Sequence, residues 1–488
     1  MWKWYTAKDR RDAVTAWLIL VALAALVMVG SLVVPAVVLA GEAPSLRVFS
    51  SVFAALAGTP VDELWPGVST LGYWALTAGV LIASGVAAFF LTRWLWWATL
   101  MPVGVGFADR TEVDREMSEG ASRKKATVLR PDLKRWRART SVPIEGLALP
   151  IGLTPWRTRL WLPLENTFGV LAPTQSGKSL MVLLHHLLTA PGACLTTSTK
   201  PDLFLLTALE RERRTPGHVA VFDLTGQAPW PNRVRWNPID GCTNPRVAYR
   251  RAESLLATAA SEGNENHAFF VRNATDVLAA NLLAAALGEI PLERFVRWCQ
   301  SPEDAEPAQI LERYPEYVTQ RHQLMEAMSL VPETRDGIWA TLRDGIAALT
   351  DGTVIEACLP RAGEEPFSAT QFLRDKGTVY VLGSEADAAR QASLITAFVE
   401  HCLETAKQEA FLQDGGKERL TPAFVSVLDE FTNICPIPSL PDTMSDSAGR
   451  GIVIVWAAQS KSQLETRWGR AEPSRFWTTP LRWVSSEA

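Results

Sequence analysis

The chain has 488 residues, of which 48% are hydrophobic, and a formal net charge of −4 at pH 7. This length accommodates a membrane module and one large soluble domain, and the small net charge gives no sign of a polyanionic partner. The six cysteines are scattered without a Cys-x-x-Cys pair, which argues against a zinc site and fits reduced thiols in the cytosol.

Two segments near the amino terminus, at about 13–40 and 71–92, are apolar enough to cross a lipid bilayer. Neither contains a charged residue, and about 20 apolar residues suffice for a helix to span. Basic residues flank the outer ends of both segments, whereas the loop between them carries Arg47 as its one basic residue. The positive-inside rule therefore predicts a two-helix transmembrane hairpin over 1–102, multi-pass in the inner (cytoplasmic) membrane, with both termini cytoplasmic.

A cleaved signal peptide is the alternative interpretation of the first segment. Val38-Leu39-Ala40 resembles a small-residue cleavage site. The apolar stretch is longer than an ordinary signal sequence, however, and a second span follows it. We therefore favour the anchored hairpin.

Residues 103–145 are polar and charge-rich, and they are predicted to be a basic cytoplasmic linker. Basic residues greatly outnumber acids between Arg123 and Arg139. Such a stretch is typical of a solvated segment beside an anionic membrane surface. We favour that interpretation; the alternative is a collar for nucleic acid, with Trp136 available for stacking on bases. The sequence leaves both interpretations open.

The pattern from residue 146 onward is α/β. Short apolar runs rich in β-branched residues alternate with helical stretches, which predicts a mostly parallel sheet covered on both faces. The predicted strands are Thr167–Ala172, Ala193–Thr197, His218–Phe222, Thr378–Leu382, Ala423–Leu428 and Ile452–Ala457. A nucleotide-binding domain is therefore expected over 146–243 and 377–488.

Helical spacing replaces the strand signal over 244–376, which predicts an all-helical insert in the nucleotide-binding domain. The predicted helices are Arg246–Ala260, His267–Leu287, Pro291–Cys299, Tyr317–Ser329 and Thr334–Leu349.

A phosphate-binding loop is predicted where the first of these strands ends. The motif runs through Ala172, Pro173, Thr174, Gln175, Ser176, Gly177, Lys178 and Ser179, with alanine at the position of the usual first glycine. Backbone N–H groups of such a loop wrap the phosphates of ATP, and the following helix directs its positive end at them. Lys178 would reach the β- and γ-phosphates, and the Ser179 hydroxyl would help to hold Mg²⁺.

Two acids, Asp429 and Glu430, end the apolar strand Ala423–Leu428. In a P-loop ATPase, the first acid would bind the Mg²⁺ shell and the second would polarise the attacking water. An ordinary strand end with solvated acids is the alternative, but the P-loop upstream favours the catalytic interpretation.

A third buried strand ends in Gln459, whose amide could contact the γ-phosphate or the attacking water. Arg450 lies just ahead of that strand, and in a ring of subunits such an arginine could reach a neighbouring site and neutralise transition-state charge. An exposed loop arginine remains the simpler alternative.

Taken together, these motifs resemble type IV secretion coupling proteins of the TraG/TraD class in the form found in Gram-positive conjugative elements. The resemblance covers roughly residues 1–470. It is carried by the following stretches: Val170–Ser179, Thr196–Leu203, Val221–Gly226 with Trp236-Asn-Pro238, Gly337–Thr341, Leu428–Ile434 with Pro436 to Pro441, and Gln459-Ser-x-x-Gln463 running to Arg467-Trp-Gly469.

The resemblance implies a RecA-like P-loop NTPase that uses ATP and Mg²⁺ and works as a homohexamer anchored in the bilayer. Such a protein receives a relaxase-bound single DNA strand and pumps it into a type IV secretion channel during conjugation. The helical insert would recognise the relaxosome.

The resemblance also leaves two other functions open. After Gly469 the family continues with further sheet and helix, whereas residues 470–488 have no recognisable pattern. A truncated remnant that acts only as a docking protein is therefore one alternative. The other is an FtsK-like translocase of double-stranded DNA, which shares the anchor and motor but normally adds a DNA-reading module.

Overall fold

The structure is a computed structural model. It describes residues 30–31, 33–41, 44–95, 110–133, 140–154, 157–173, 175–226, 228–260, 265–384, 386–413, 418–468 and 482–485. The chain forms two compact units, Met1–Asp109 and Arg110–Ala488. The boundary falls a few residues beyond the predicted end of the membrane hairpin at 102.

The described residues of the first unit are mostly helical. Residues 33–40 form a helix, and helices α1 (Leu46–Leu56), α2 (Val61–Leu64) and α3 (Thr70–Leu95) follow. Val33, Val48, Val52 and Trp65 share a small apolar core in this unit. The segment between the two predicted spans is thus largely helical and packed, where the sequence suggested a simple loop.

Helix α3 contains the second predicted span. Over Thr70–Phe90 it is long and apolar enough to cross a membrane, and little of this stretch is buried. A helix that leaves its apolar side chains uncovered suits a lipid environment. Most of the first predicted span, 13–40, lies outside the described residues.

The second unit is built on a seven-stranded sheet in which every adjacent pair is parallel. Its strands lie in the order β5-β6-β4-β7-β8-β3-β9. Their bounds are β3 (Phe168–Leu171), β4 (Cys194–Ser198), β5 (Val219–Asp223), β6 (Thr378–Leu382), β7 (Phe424–Leu428), β8 (Ile452–Ala458) and β9 (Arg482–Ser485). The predicted parallel α/β sheet is confirmed, with each predicted strand lying within about one residue of its observed place.

Both faces of the sheet are covered by apolar packing. Phe424 and Ile454 point into one core, whereas their neighbours Val425 and Val455 point into a second core on the opposite face. Successive side chains of a strand alternate between faces, so a sheet buried on both sides needs continuous apolar strands. This explains why these runs are so easily found in the sequence.

Gly169 is required by the contact between β3 and β8. A Cβ atom built at Gly169 would lie 2.3 Å from Cζ2 of Trp456, which is well inside contact distance. Glycine therefore lets the strand that delivers the P-loop pass beside a buried indole ring.

The described chain between β5 and β6 is largely helical from Pro245 onward. Its helices are α9 (Pro245–Leu255), α10 (Ala257–Ala260), α11 (Glu265–Leu287), α12 (Leu292–Gln300), α13 (Glu306–Glu312), α14 (Val318–Ser329), α15 (Pro332–Gly345), α16 (Gly352–Cys358) and α17 (Ala369–Asp375). The segments predicted to be helical are helical, and α13, α16 and α17 are additional.

The remaining helices of this unit are α4 (Arg110–Glu116), α5 (Glu119–Lys124), α6 (Ala126–Leu129), α7 (Leu184–Thr189), α8 (Asp202–Arg214), α18 (Ala388–Leu412), α19 (Phe431–Ile434), α20 (Leu440–Ser447) and α21 (Lys461–Trp468).

The segment predicted as a basic linker, 103–145, is not linker-like where it is described. Helices α4, α5 and α6 lie within it, and Ala126 and Leu129 belong to the core beneath the P-loop helix. The backbone N–H of Trp161 also donates to the carbonyl oxygen of Met117 at 2.8 Å. Residues 134–139, including Trp136, lie outside the described residues.

Two pieces of sheet were missed by the sequence patterns. Strands β1 (Ala148–Leu153) and β2 (Arg159–Pro163) form an antiparallel hairpin with a bulge between Pro150 and Gly152. Strand β9 pairs with β3 in parallel, so part of the carboxyl-terminal segment, whose sequence has no recognisable pattern, adds a strand to the sheet.

Candidate functional site

The P-loop follows β3 directly. The N–H of Ala172 donates to the carbonyl oxygen of Ala458 at 3.1 Å, which continues the pairing with β8 to the last residue before the loop. Ala172 is buried among core residues, which explains why a small apolar residue is accepted at the position of the usual first glycine. The Ser176 hydroxyl then bonds the carbonyl oxygen of Pro173 across the turn at 2.8 Å.

The loop reaches its helix through two residues with left-handed backbone angles. Gln175 has φ 61° and Gly177 has φ 81°, and glycine takes up such an angle without strain. A π-helical segment, Ser179–Leu183, follows and runs into α7. Thr174 lies outside the described residues, so its place in the loop stays a prediction.

The acid pair lies at the same edge of the sheet as the P-loop. Asp429 and Glu430 come immediately after β7, which is separated from β3 by one strand, β8. The Ser179 hydroxyl donates to Oδ2 of Asp429 at 2.6 Å. The Nζ atom of Lys178 lies 3.9 Å from Oδ1 of Asp429 and 3.9 Å from Oε1 of Glu430. The four predicted side chains therefore converge on one point.

These side chains surround a cavity of about 290 Å³. P-loop residues from Gln175 to Leu180 form one wall, Ser198–Lys200 at the end of β4 form another, and the two acids close the third. Lys178 is buried, and within the described part of the chain its Nζ has no hydrogen-bond partner. A buried ammonium without an acceptor is costly, and phosphate oxygens would satisfy it.

The environment of Asp429 disfavours its negative charge. Burial raises the pKa of this carboxyl above its ordinary value, and the nearby carboxylate of Glu430 acts in the same direction. The hydrogen bond from Ser179 and the charge of Lys178 oppose the rise without cancelling it. A divalent cation beside Asp429 would stabilise the ionised form, so the carboxylate and the Ser179 hydroxyl together fit a Mg²⁺ site.

Glu430 is held at both its backbone and its side chain. Its φ angle is 50°, in the left-handed region, and its N–H donates to Oδ1 of Asp429 at 3.0 Å. Its Oε2 atom accepts a hydrogen bond from the Thr199 hydroxyl at 3.0 Å. Thr197 supports the same segment by donating to the carbonyl oxygen of Asp429 at 3.2 Å. Sequence reasoning assigned no role to either threonine, although both lie at the end of a predicted strand.

Gln459 lies at this edge too, immediately after β8. Its N–H donates to Oε1 of Gln463 at 3.1 Å, and the same oxygen accepts from the Thr432 hydroxyl at 3.4 Å. Gln463 therefore links the strand end that carries Gln459 to the helix that follows the acid pair. Sequence reasoning gave Gln463 no separate role.

Arg450 is not part of this cavity. It precedes β8, whereas the cavity lies beyond the other end of that strand, about 20 Å away for a strand of this length. Its side chain pairs with Asp446 at 3.0 Å and with Glu418 at 3.8 Å. A role at the site of its own subunit is therefore excluded by distance, and the role across a subunit boundary stays a prediction.

A larger cavity of about 520 Å³ adjoins the first and shares Thr199 and Lys200 with it. It lies beyond the ends of β4, β5 and β6 and is not lined by the P-loop or the acid pair. The smaller cavity is the candidate functional site because the residues predicted to bind phosphate and Mg²⁺ line it.

A known protein family matches most of this chain. The family model for Type IV secretory system conjugative DNA transfer matches residues 111–487. No curated protein is matched by the sequence.

Several solved structures are similar in fold. The bacterial conjugative coupling protein TrwBdeltaN70, in a trigonal form with sulphate, is 18% identical, has a TM-score of 0.50, and is matched over 67% of this chain and 72% of that one. Its unbound monoclinic form is 17% identical, with a TM-score of 0.49, over 66% and 68% of the two chains. TrwB in complex with ADP and Mg²⁺ is 17% identical, with a TM-score of 0.48, over 66% and 71%.

The family match covers most of the chain, including the whole described sheet, the P-loop and the acid pair. The resemblance to type IV secretion coupling proteins and the P-loop fold that it implies are confirmed. This chain belongs to the Type IV secretory system conjugative DNA transfer family.

Proposed function

We propose that this protein is a membrane-anchored ATPase that couples a relaxase-bound single DNA strand to a type IV secretion channel and pumps it during conjugation. The observation that carries the proposal is the convergence of Lys178, Ser179, Asp429 and Glu430 on one cavity. Family membership supplies the conjugative setting.

The proposed chemistry is ATP hydrolysis. Backbone N–H groups of 172–179 and the Lys178 ammonium would bind the phosphates, where the ammonium gains the acceptor that it lacks. Ser179 and Asp429 would hold Mg²⁺, which neutralises charge on the phosphate oxygens when bound. Glu430 would orient the attacking water and accept its proton, and Gln459 would contact the water or the γ-phosphate.

The proposed assembly is a homohexamer in the inner membrane. Helix α3 supports a bilayer anchor because of its length and exposed apolar surface. The helical insert between β5 and β6 is the proposed binding region for the relaxosome. In such a ring, Arg450 would act at the nucleotide site of a neighbouring subunit, since it lies far from the cavity of its own.

The test compares the full-length protein, purified in detergent, with its Lys178→Ala variant. We expect the wild type to hydrolyse ATP faster with single-stranded DNA than with duplex DNA, and the variant to lose turnover by about 10²-fold or more. In cells the variant should remain in the membrane fraction and fail to support transfer.

Three results would contradict the proposal. Full conjugative transfer by the Lys178→Ala variant would refute the motor, and stimulation by duplex DNA alone would favour a double-strand translocase. A wild-type protein that binds relaxase without hydrolysing ATP would instead support a docking role.

A further inference from the structure

Thr199 contacts the proposed catalytic acid from a neighbouring strand. It follows β4, which pairs with β7, and its hydroxyl donates to Oε2 of Glu430 at 3.0 Å. The two residues are 231 positions apart in the sequence. The contact therefore depends on the order of strands in the sheet.

The two carboxylate oxygens of Glu430 have different neighbours. Oε2 accepts from Thr199, while Oε1 faces the cavity, 3.9 Å from the Lys178 ammonium. The last torsion of a glutamate side chain is broad, so a carboxylate without a fixed partner samples many orientations. Thr199 selects the orientation that leaves one oxygen directed at the site.

The backbone of Glu430 is already held, which leaves the orientation of its side chain to contacts such as the one from Thr199. The backbone has a left-handed φ of 50°, and the N–H bonds Oδ1 of Asp429. Such a backbone angle is strained in a residue other than glycine, and strained residues of this kind cluster at functional sites.

A purely structural role does not explain the contact well. Thr199 and Glu430 are both half-buried, so water could replace either partner without leaving an unsatisfied group in the core. Thr197, two residues earlier, is fully buried and bonds the backbone of Asp429, which is the contact that secures the strand end.

We propose that Thr199 is a positioning residue for ATP hydrolysis, which holds the carboxylate of Glu430 so that Oε1 accepts the proton of the attacking water. This inference rests on the proposed ATPase function and adds a residue to it. The hydroxyl of Thr199 touches neither phosphate nor water in this scheme, so its effect is transmitted through Glu430.

The test uses the full-length protein and the Thr199→Val variant, which keeps the shape of the side chain and loses the hydroxyl. Hydrogen bonds to charged groups are worth about 1.5–3 kcal/mol, so we expect kcat to fall roughly 10- to 100-fold. The KM for ATP should change less than about 2-fold, because the phosphate-binding groups are untouched. Thr199→Ser, which keeps the hydroxyl, should restore kcat to within about 3-fold of the wild type.

A double-mutant cycle with Glu430→Gln separates positioning from general damage. Thr199→Val should cause no further loss of kcat in the Glu430→Gln background, because the group that it positions no longer accepts a proton. Thr189→Val is the matched control. Its hydroxyl donates to the His185 carbonyl oxygen at 2.7 Å on the outside of the same domain, and we expect wild-type kcat.

The outcomes distinguish this inference from the function on which it rests. A wild-type kcat for Thr199→Val, failure of Thr199→Ser to restore activity, or equal losses in both backgrounds would overturn the positioning role while the ATPase stands. A wild-type protein with no turnover, or a fully active Lys178→Ala variant, would overturn the ATPase and this inference with it.

Discussion

The hydroxyl of Ser179 donates a 2.6 Å hydrogen bond to Oδ2 of Asp429, a residue 250 positions later in the chain. Both groups are typical magnesium ligands, and Lys178 lies 3.9 Å from the same carboxylate. This contact joins the P-loop to the acid pair, which are the two parts of the proposed nucleotide site. Substitutions in either part therefore test the same site.

Glu430→Gln should separate ATP binding from hydrolysis. The amide keeps the size of the side chain but cannot accept a proton, so we expect kcat to fall by about 10²- to 10⁴-fold. ATP with Mg²⁺ should still raise the melting temperature, since a ligand that binds the folded state stabilises it. Steady-state turnover and thermal denaturation measure the two effects. Glu326→Gln, at an exposed site on α14, is the control, and equal losses in both variants would exclude a specific role for Glu430.

Asp429→Asn should stabilise the protein in the absence of nucleotide. The pKa of Asp429 is raised in the folded state by burial, so the folded protein binds this proton more readily than the unfolded chain. Stability from this group is therefore greatest below its unfolded pKa and is lost as the pH rises through the raised folded pKa. Above that pH the carboxylate is a cost that asparagine removes.

Melting temperatures from pH 4 to pH 8, with and without Mg²⁺ and ATP, measure this effect. We expect the variant to melt higher than the wild type at pH 7 without ligand, with the difference shrinking toward pH 4. The order should reverse with Mg²⁺ and ATP, because asparagine is a poorer Mg²⁺ ligand. A variant that is less stable than the wild type at pH 7 would contradict the proposed cost of the charge.

Arg450→Ala should abolish turnover only if the arginine acts on a neighbouring subunit. The variant and Lys178→Ala should each be inactive, yet a mixture assembled from both should regain part of the activity. Sites that combine an intact Lys178 from one subunit with an intact Arg450 from the next would account for this recovery. Turnover of co-assembled full-length subunits measures it. Full activity of Arg450→Ala alone would leave Arg450 as a surface residue paired with Asp446.

Gln463→Ala should slow hydrolysis through Gln459. Gln463 accepts hydrogen bonds from the Gln459 N–H and the Thr432 hydroxyl. Its loss therefore removes the link between the end of β8, where Gln459 lies, and helix α19, which follows the acid pair. We expect a several-fold fall in kcat, and a loss of about 1 kcal/mol in the free energy of unfolding. Gln323→Ala, at an exposed site on α14, should change neither quantity. An unchanged kcat would show that Gln459 needs no support from Gln463.

The central sheet could be read from the sequence because its strands are covered on both faces. Largely apolar runs identify Phe424–Leu428 and Ile452–Ala458 as buried strands. The motifs that follow these strands then indicate where the site lies. The hairpin β1–β2 was missed because its first strand is interrupted at Pro150 and Gly152, where a bulge breaks the alternation.

The segment over 110–129 was misread for a different reason. Val113, Met117 and Ala121 recur every fourth residue and are buried, which is a helical signal. Charged neighbours hid it, because a short amphipathic helix on a domain surface has a charged outer face.

The contact from Thr199 to Glu430 could be placed only once the pairing of β4 with β7 was known.

Strand order also constrains how the polypeptide can fold as it is made. β3 and β4 are neighbours in the sequence, yet β8 and β7 lie between them in the sheet. Early strands must therefore await partners from the far end of the chain, and such distant pairings are slow to form. A nascent protein that carries the P-loop but not yet β7 has exposed strand edges, which are prone to aggregate. We therefore expect chaperones to protect the chain until its synthesis is nearly complete.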